Sequence, residues 1–220
     1  VKTIFLLINL VVVAALADNS TKVISFKDAE TSHEIYLKVF FVKDTNWNEA
    51  NIISEINLAN SVFLQCDLSI TEVSLQEIDL SKDRTLNSRK ILKDLINSDF
   101  RKPMELTLLL GSRRTIDPDI TRGHAWGQKL MKTYDPETER IYENAALVQD
   151  QILFQLHEGV STFAHELGHL LLNDTHVKFV NLMNGNWYSQ DNSLTREQCR
   201  RMRNSPLVKK PADQRLNIRI

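Results

Sequence analysis

The stretch Phe163-Ala164-His165-Glu166-Leu167-Gly168-His169-Leu170-Leu171-Leu172 decides how the rest of the chain is read. Its apolar residues crowd around two histidines and a glutamate, and residues 159–172 read as a helix. At 3.6 residues per turn, positions i and i+4 differ by about 40° around the axis, so both imidazoles face one point. Two such nitrogens can fill two corners of a tetrahedral metal site. The glutamate beside the first histidine lies near the ion without ligating it and can take a proton from a metal-activated water. Chance placement on a solvated helix explains the pattern poorly. A histidine pair on so apolar a helix needs polar partners, and a metal supplies one.

A third ligand is then required, and His176 offers it; three of the six histidines fall within twelve residues. Beyond it, Asn181-Leu182-Met183-Asn184-Gly185 joins a methionine of buried type to an Asn-Gly turn signal. In these residues the chain resembles the metzincin metallopeptidases, whose signature is HExxHxxGxxH followed by a Met-turn. The gap of seven residues from His176 to Met183 resembles their minimal and matrix-metalloproteinase members. The resemblance implies that His165, His169 and His176 hold one catalytic Zn²⁺, that Glu166 is the general base, and that Met183 lies beneath the metal. It also places residues 177–180 along the primed-side pocket.

The histidine arrives one residue late. The family's glycine and third histidine would fall on Leu172 and Thr175. A helix one residue longer, turning at Asn173, produces that shift, because asparagine is next to glycine in tolerating left-handed backbone. Asp174 and Glu197 are the competing third ligands. Tyr188 lies five residues past Met183, and no catalytic role is assigned to it.

At the N-terminus, Lys2 precedes an apolar run from Ile4 to Ala17 broken only by Asn9, closing on Ala15-Leu16-Ala17. This reads as a signal peptide over residues 1–17, too short to span a bilayer. The expected location is therefore secreted or periplasmic. In an oxidising compartment the two cysteines, Cys66 and Cys199, can pair. Residues 18–32 read as a flexible arm, too short for a long pro-domain. A hydrophobic share of 42% and a net charge of −1 describe an ordinary globular domain and argue against a nucleic-acid binder. Eight Lys/Arg against two acids in residues 196–219 read as a solvated helix face and a basic tail over 204–220.

Between these ends, strands are expected at 33–42, 68–80, 104–110 and 145–148, with an edge strand near His124-Ala125-Trp126. The run 104–110 is apolar throughout, as in a strand buried on both faces. Helices are expected at 46–65, capped by Thr45 or Asn46, at 88–97, and at 194–203, capped by Ser193 or Thr195. The fold class is α+β and zincin-like. It comprises a mixed, mostly parallel twisted sheet with an antiparallel edge strand, the active-site helix, and a small C-terminal part with Met-turn and final helix. In the resemblance the edge strand pairs with bound peptide; His124 reads more simply as a surface histidine.

The catalytic domain is thus expected over residues 33–203, in an exported zinc-dependent endopeptidase using a metal-activated water. The partner is a peptide or protein substrate. No nucleic acid, no stable membrane insertion of the mature chain and a monomeric state are expected. Two alternatives stay open: a metal-binding or interaction protein on the same fold without peptidase activity, and a zinc hydrolase of cell-wall peptide or amide bonds.

Overall fold

A parallel sheet must bury both faces, so its strands read as apolar runs, and β5 (Glu105–Gly111) is buried along its whole length. The computed structural model describes residues 11–13, 21–26, 31–79, 105–112, 123–126, 144–149, 160–173, 176–185 and 191–210. Around β5 stand β3 (His33–Val42), β4 (Leu68–Ile78) and β7 (Ala145–Gln149), and the order β4-β3-β5-β7 is parallel throughout. β6 (Gly123–Trp126) closes one edge antiparallel to β7, with His124 in register with Leu147. On the far side β2 (Lys22–Ser25) and β1 (Val11–Val13) extend the sheet, antiparallel to β4 and β2 respectively, making seven strands.

One helix-bearing face holds the core. Ile35, Leu37 and Val39 of β3 and Leu106, Leu108 and Leu110 of β5 join one apolar cluster. Their alternation is the period of a strand, and the intervening Phe40, Leu109 and Leu147 are buried on the opposite face. Helix α1 (Glu49–Phe63) contributes Ile52, Ile56, Ala59, Val62 and Phe63 at helical spacing. It is capped by Asn48, whose side chain accepts the Asn51 N–H at 3.0 Å. The expected caps do other work: Thr45 donates to the Val42 carbonyl at 2.7 Å where β3 ends, and the Asn46 carbonyl accepts from the Asn51 side chain at 2.9 Å.

Helix α2 (Thr162–Leu172) starts at Ser161, whose hydroxyl accepts the Ala164 N–H at 3.0 Å, and every residue from Phe163 to Leu172 is buried. Trp47, just before α1, packs its ring 5.6 Å from that of Phe163 and so locks the two helices together. Helix α3 (Arg196–Arg203) has Thr195 as its cap, in a reciprocal box with Gln198. No helix among the described residues is long and apolar enough to cross a membrane.

Part of the segment read as a flexible arm is structured. Lys22–Ser25 pairs along β4, Ile24 is fully buried, and Lys22 is ion-paired with Glu49. Two of its four residues are hydrophobic β-formers, and burying Ile24 rewards the pairing. β1 lies within the stretch read as an export signal; the rest of that stretch lies outside the described residues, as do the expected helix at 88–97 and residues 211–220. The described part of the basic C-terminal segment spends its charges locally. Arg200 pairs with Glu197 at 2.6 Å, Arg201 donates to the Leu172 carbonyl at 2.7 Å, and Lys209 pairs with Glu34 at 3.2 Å.

Candidate metal centre

Helix α2 presents His165 and His169 one turn apart, 7% and 6% exposed. The helix ends at Asn173, whose φ of 50° and ψ of 46° are left-handed, and the ring of His176 lies against the rings of the pair. The three Nε2 atoms then meet. They are separated by 3.1 Å (His165 to His169), 3.2 Å (His169 to His176) and 3.3 Å (His165 to His176). Four-coordinate binding with metal–nitrogen bonds of about 2.0–2.1 Å needs ligand nitrogens roughly 3.3–3.4 Å apart. The triangle is therefore close to the size a tetrahedral ion requires, and the group can hold a metal.

The protonation pattern agrees with that use. His165 Nδ1 lies 2.6 Å from the Leu182 carbonyl, which can only accept, so Nδ1 carries the proton and Nε2 keeps its lone pair for the cluster. His176 is an exposed residue whose ring is turned in against the pair, and desolvation holds its imidazole below the ordinary range. Glu166 is buried beside His165, and burial pushes its carboxyl up to about 8. A cation at the neighbouring imidazoles acts in the opposite sense and favours the carboxylate.

Two glycines make the cluster possible, and sequence reading gave neither its reason. A Cβ on Gly168 would lie 2.5 Å from the Met183 sulfur, so the methionine packs directly on the α2 backbone between the two histidines. Met183 is fully buried there. A Cβ on Gly185 would lie 2.8 Å from Cγ and Nδ1 of His176, so that ring rests on the backbone of the turn. The Asn-Gly pair had signalled only a turn. The segment between is tied across its base, the Val177 N–H donating to the Met183 carbonyl at 2.9 Å. Phe179 and Val180 at its tip are exposed.

Of the competing ligands, Asp174 lies outside the described residues, as does Tyr188. Glu197 is bound to Arg200 on an exposed face of α3 and is not among the clustered ligand atoms. Cys66, in the 3-10 turn after α1, is joined to Cys199 of α3 by a disulfide with a Cα–Cα distance of 4.7 Å. Around it Arg203 donates to the Cys66 carbonyl at 3.0 Å, and Gln65 to the Asn192 carbonyl at 2.6 Å.

No protein-family model and no curated protein sequence matches the chain. Among solved structures it is similar to metalloproteinase-II from Bacteroides fragilis, with 21% identity and a TM-score of 0.48. That similarity covers 78% of this chain and 52% of the other, so the chain spans about half the length of that structure.

Proposed function

We propose that this chain is an exported zinc endopeptidase of metzincin type, with His165, His169 and His176 as the metal ligands and Glu166 as the general base. The observation that carries the reading is the triangle of three Nε2 atoms at 3.1–3.3 Å, two of them from a helix on which Glu166, next to His165 in sequence, is buried. Three imidazoles suit Zn²⁺, and no fourth ligand group joins them among the described residues, which is the donor set of a catalytic rather than a structural site. Zinc bound there supplies Lewis acidity toward the scissile carbonyl and toward water.

The chain's own residues supply the rest. Glu166 accepts a proton from the attacking water and passes it to the leaving nitrogen. Its buried position suits both halves of that task, since burial favours the protonated form and the cation favours the charged one. β6 is the antiparallel edge strand of the sheet among the described residues, and an extended peptide can add along such an edge as a further strand. Phe179 and Val180 offer apolar surface at the tip of the segment after His176.

We assign the catalytic unit to residues 33–203 and the export signal to 1–17. Cleavage after Ala17 removes β1 and leaves β2 as the sheet edge. The test is the metal content of the purified protein together with cleavage of an unstructured protein. About one zinc per chain and cleavage abolished by a chelator are expected. A zinc-loaded chain that cleaves no protein or peptide library, with Glu166→Gln indistinguishable from it, sinks the peptidase reading.

A further inference from the structure

Two buried carboxamides lie behind the histidines. Asn181 is 1% exposed and Gln198 7%, and side-chain amides that deep persist only with their donors and acceptors matched. Asn181 Nδ2 donates to Gln198 Oε1 at 3.1 Å, and Gln198 Nε2 donates back to Asn181 Oδ1 at 2.9 Å. Asn181 Nδ2 also donates to the Ser193 carbonyl at 2.9 Å, while its Oδ1 accepts the Met183 N–H at 3.0 Å. Gln198 Oε1 accepts the Thr195 N–H at 2.8 Å. The backbone partners are of fixed sense, so neither amide can be flipped without setting like groups against each other. Asn181 makes all four bonds that a carboxamide can make.

The Met183 N–H belongs to the same peptide group as the Leu182 carbonyl. A peptide is planar, and none among the described residues is cis, so the N–H and C=O of that group point in opposite directions. One end is gripped by Asn181 Oδ1 and the other meets His165 Nδ1 at 2.6 Å. The Leu182 N–H is held separately, donating to the Ser193 carbonyl at 3.0 Å. The orientation of the carbonyl that receives the histidine proton is thus set by an amide pair anchored in α3.

We propose that Asn181 and Gln198 are positioning residues for the metal centre. Through the 182–183 peptide plane they hold His165 as its Nδ1–H tautomer, with Nε2 directed into the cluster. This rests on the reading of the three histidines as metal ligands. Groups that orient a ligating histidine typically matter by about 10–100-fold in metal affinity.

The experiment uses the full chain with its disulfide intact. Zinc affinity is measured by competition with a chromophoric chelator. The His165 tautomer is read from imidazole ¹⁵N shifts of the metal-free protein at a pH where the ring is neutral. Asn181→Ala is expected to weaken zinc about 10–100-fold and to turn the His165 signal into a tautomer mixture. Gln198→Met, which leaves Asn181 its bonds to Met183 and Ser193, is expected to show the same changes at smaller size. Thr195→Ala removes the hydroxyl that accepts the Gln198 backbone N–H at 3.2 Å but leaves every side-chain bond of the amide pair, and it serves as the control for loosening α3. It is expected to keep both affinity and tautomer.

Wild-type tautomer and affinity in a folded Asn181→Ala overturn the proposal. If that variant does not fold, the same result in Gln198→Met overturns it, and so does Thr195→Ala matching the amide variants. A wild-type chain that binds no zinc defeats the metal reading, and the ¹⁵N comparison still decides whether Asn181 sets the tautomer.

Discussion

Helix α2 and the segment 176–185 bring imidazoles to one point by different means. On α2, two ligands follow from the helical period, and the helix is buried from Phe163 to Leu172, so its own backbone brings the two rings to one face and only the tautomer of His165 is set from outside, at the Leu182 carbonyl. His176 stands on irregular, partly exposed chain. Its placement depends on the left-handed turn at Asn173, the bare backbone of Gly185, the Val177–Met183 hydrogen bond and the pairing of Asn181 in the turn with Gln198 of α3. A regular element positions side chains through its own backbone bonds, whereas a loop must borrow rigidity from side chains far away in sequence. Substitutions on the two sides should therefore fail differently, in stability on one and in the site on the other.

The largest effect expected is on chemistry alone. Glu166→Gln keeps shape and hydrogen bonding but cannot accept the proton, so peptidase activity should fall about 10²–10⁴-fold. Zinc should stay near one per chain by direct metal analysis, because three imidazoles remain. The same residue gives a pH signature in the metal-free protein. Burial raises the Glu166 pKa from the ordinary 4.5 to about 8 in the folded state. Its contribution to stability is then fully present below the unfolded-state value and is lost as pH rises through about 8. Denaturant midpoints of metal-free wild type should fall across that window relative to those of Glu166→Gln. Equal slopes would show that the carboxylate is not desolvated.

Removing the disulfide tests the borrowed rigidity. Cys66→Ser with Cys199→Ser should cost about 2–5 kcal/mol of stability, since the bridge links residues 133 apart. The loss falls on α3, which holds the turn, and not on α2. Zinc affinity should drop with it under conditions where the chain stays folded, whereas hydrogen-exchange protection of the α2 amides should change least. Protection lost equally in α2 and α3 would mean that the two sides are not separable.

How much of this was legible follows the same division. The apolar run of β5, the strand expected at 68–80 and the period of α2 are local patterns, and the structure has each of them with ends a few residues from those expected. The turn at Asn173 was legible from backbone preference and the late histidine. The pairing of Lys22–Ser25 was not, because four residues carry too little pattern and the reward comes from β4. Nor were the roles of Gly168 and Gly185. Each is small because a particular side chain from elsewhere occupies its space. The Asn181–Gln198 pair spans 17 residues, and nothing in either neighbourhood marks the other.

Gly168→Ala and Gly185→Ala sharpen the contrast. Alanine at 168 gains about 1 kcal/mol of helix propensity but drives a methyl into the Met183 sulfur, an overpacking that typically costs about 1–3 kcal/mol. Its thermal midpoint should fall. Alanine at 185 pushes on the ring of a loop residue, which can yield by moving His176 out of the cluster. Its midpoint should change less than that of Gly168→Ala while its zinc affinity falls more. The reverse order would contradict the division.

The smallest effect concerns the turn between the two sides. Asn173 holds φ 50° and ψ 46°, where a Cβ costs most residues about 1–2 kcal/mol, asparagine less, and glycine nothing. Asn173→Gly should therefore stay within about 1 kcal/mol of wild type, with relief of strain offset by a freer unfolded chain. Asn173→Ala should be the less stable of the two by about 1 kcal/mol. If helix α2 could run on past residue 172, alanine, the best helix former, would instead extend it and carry His176 away from the pair. Zinc affinity of Asn173→Ala distinguishes the outcomes. A modest loss that tracks stability means the chain still turns at 173, whereas collapse of affinity with stability unchanged means that Asn173 itself stops the helix.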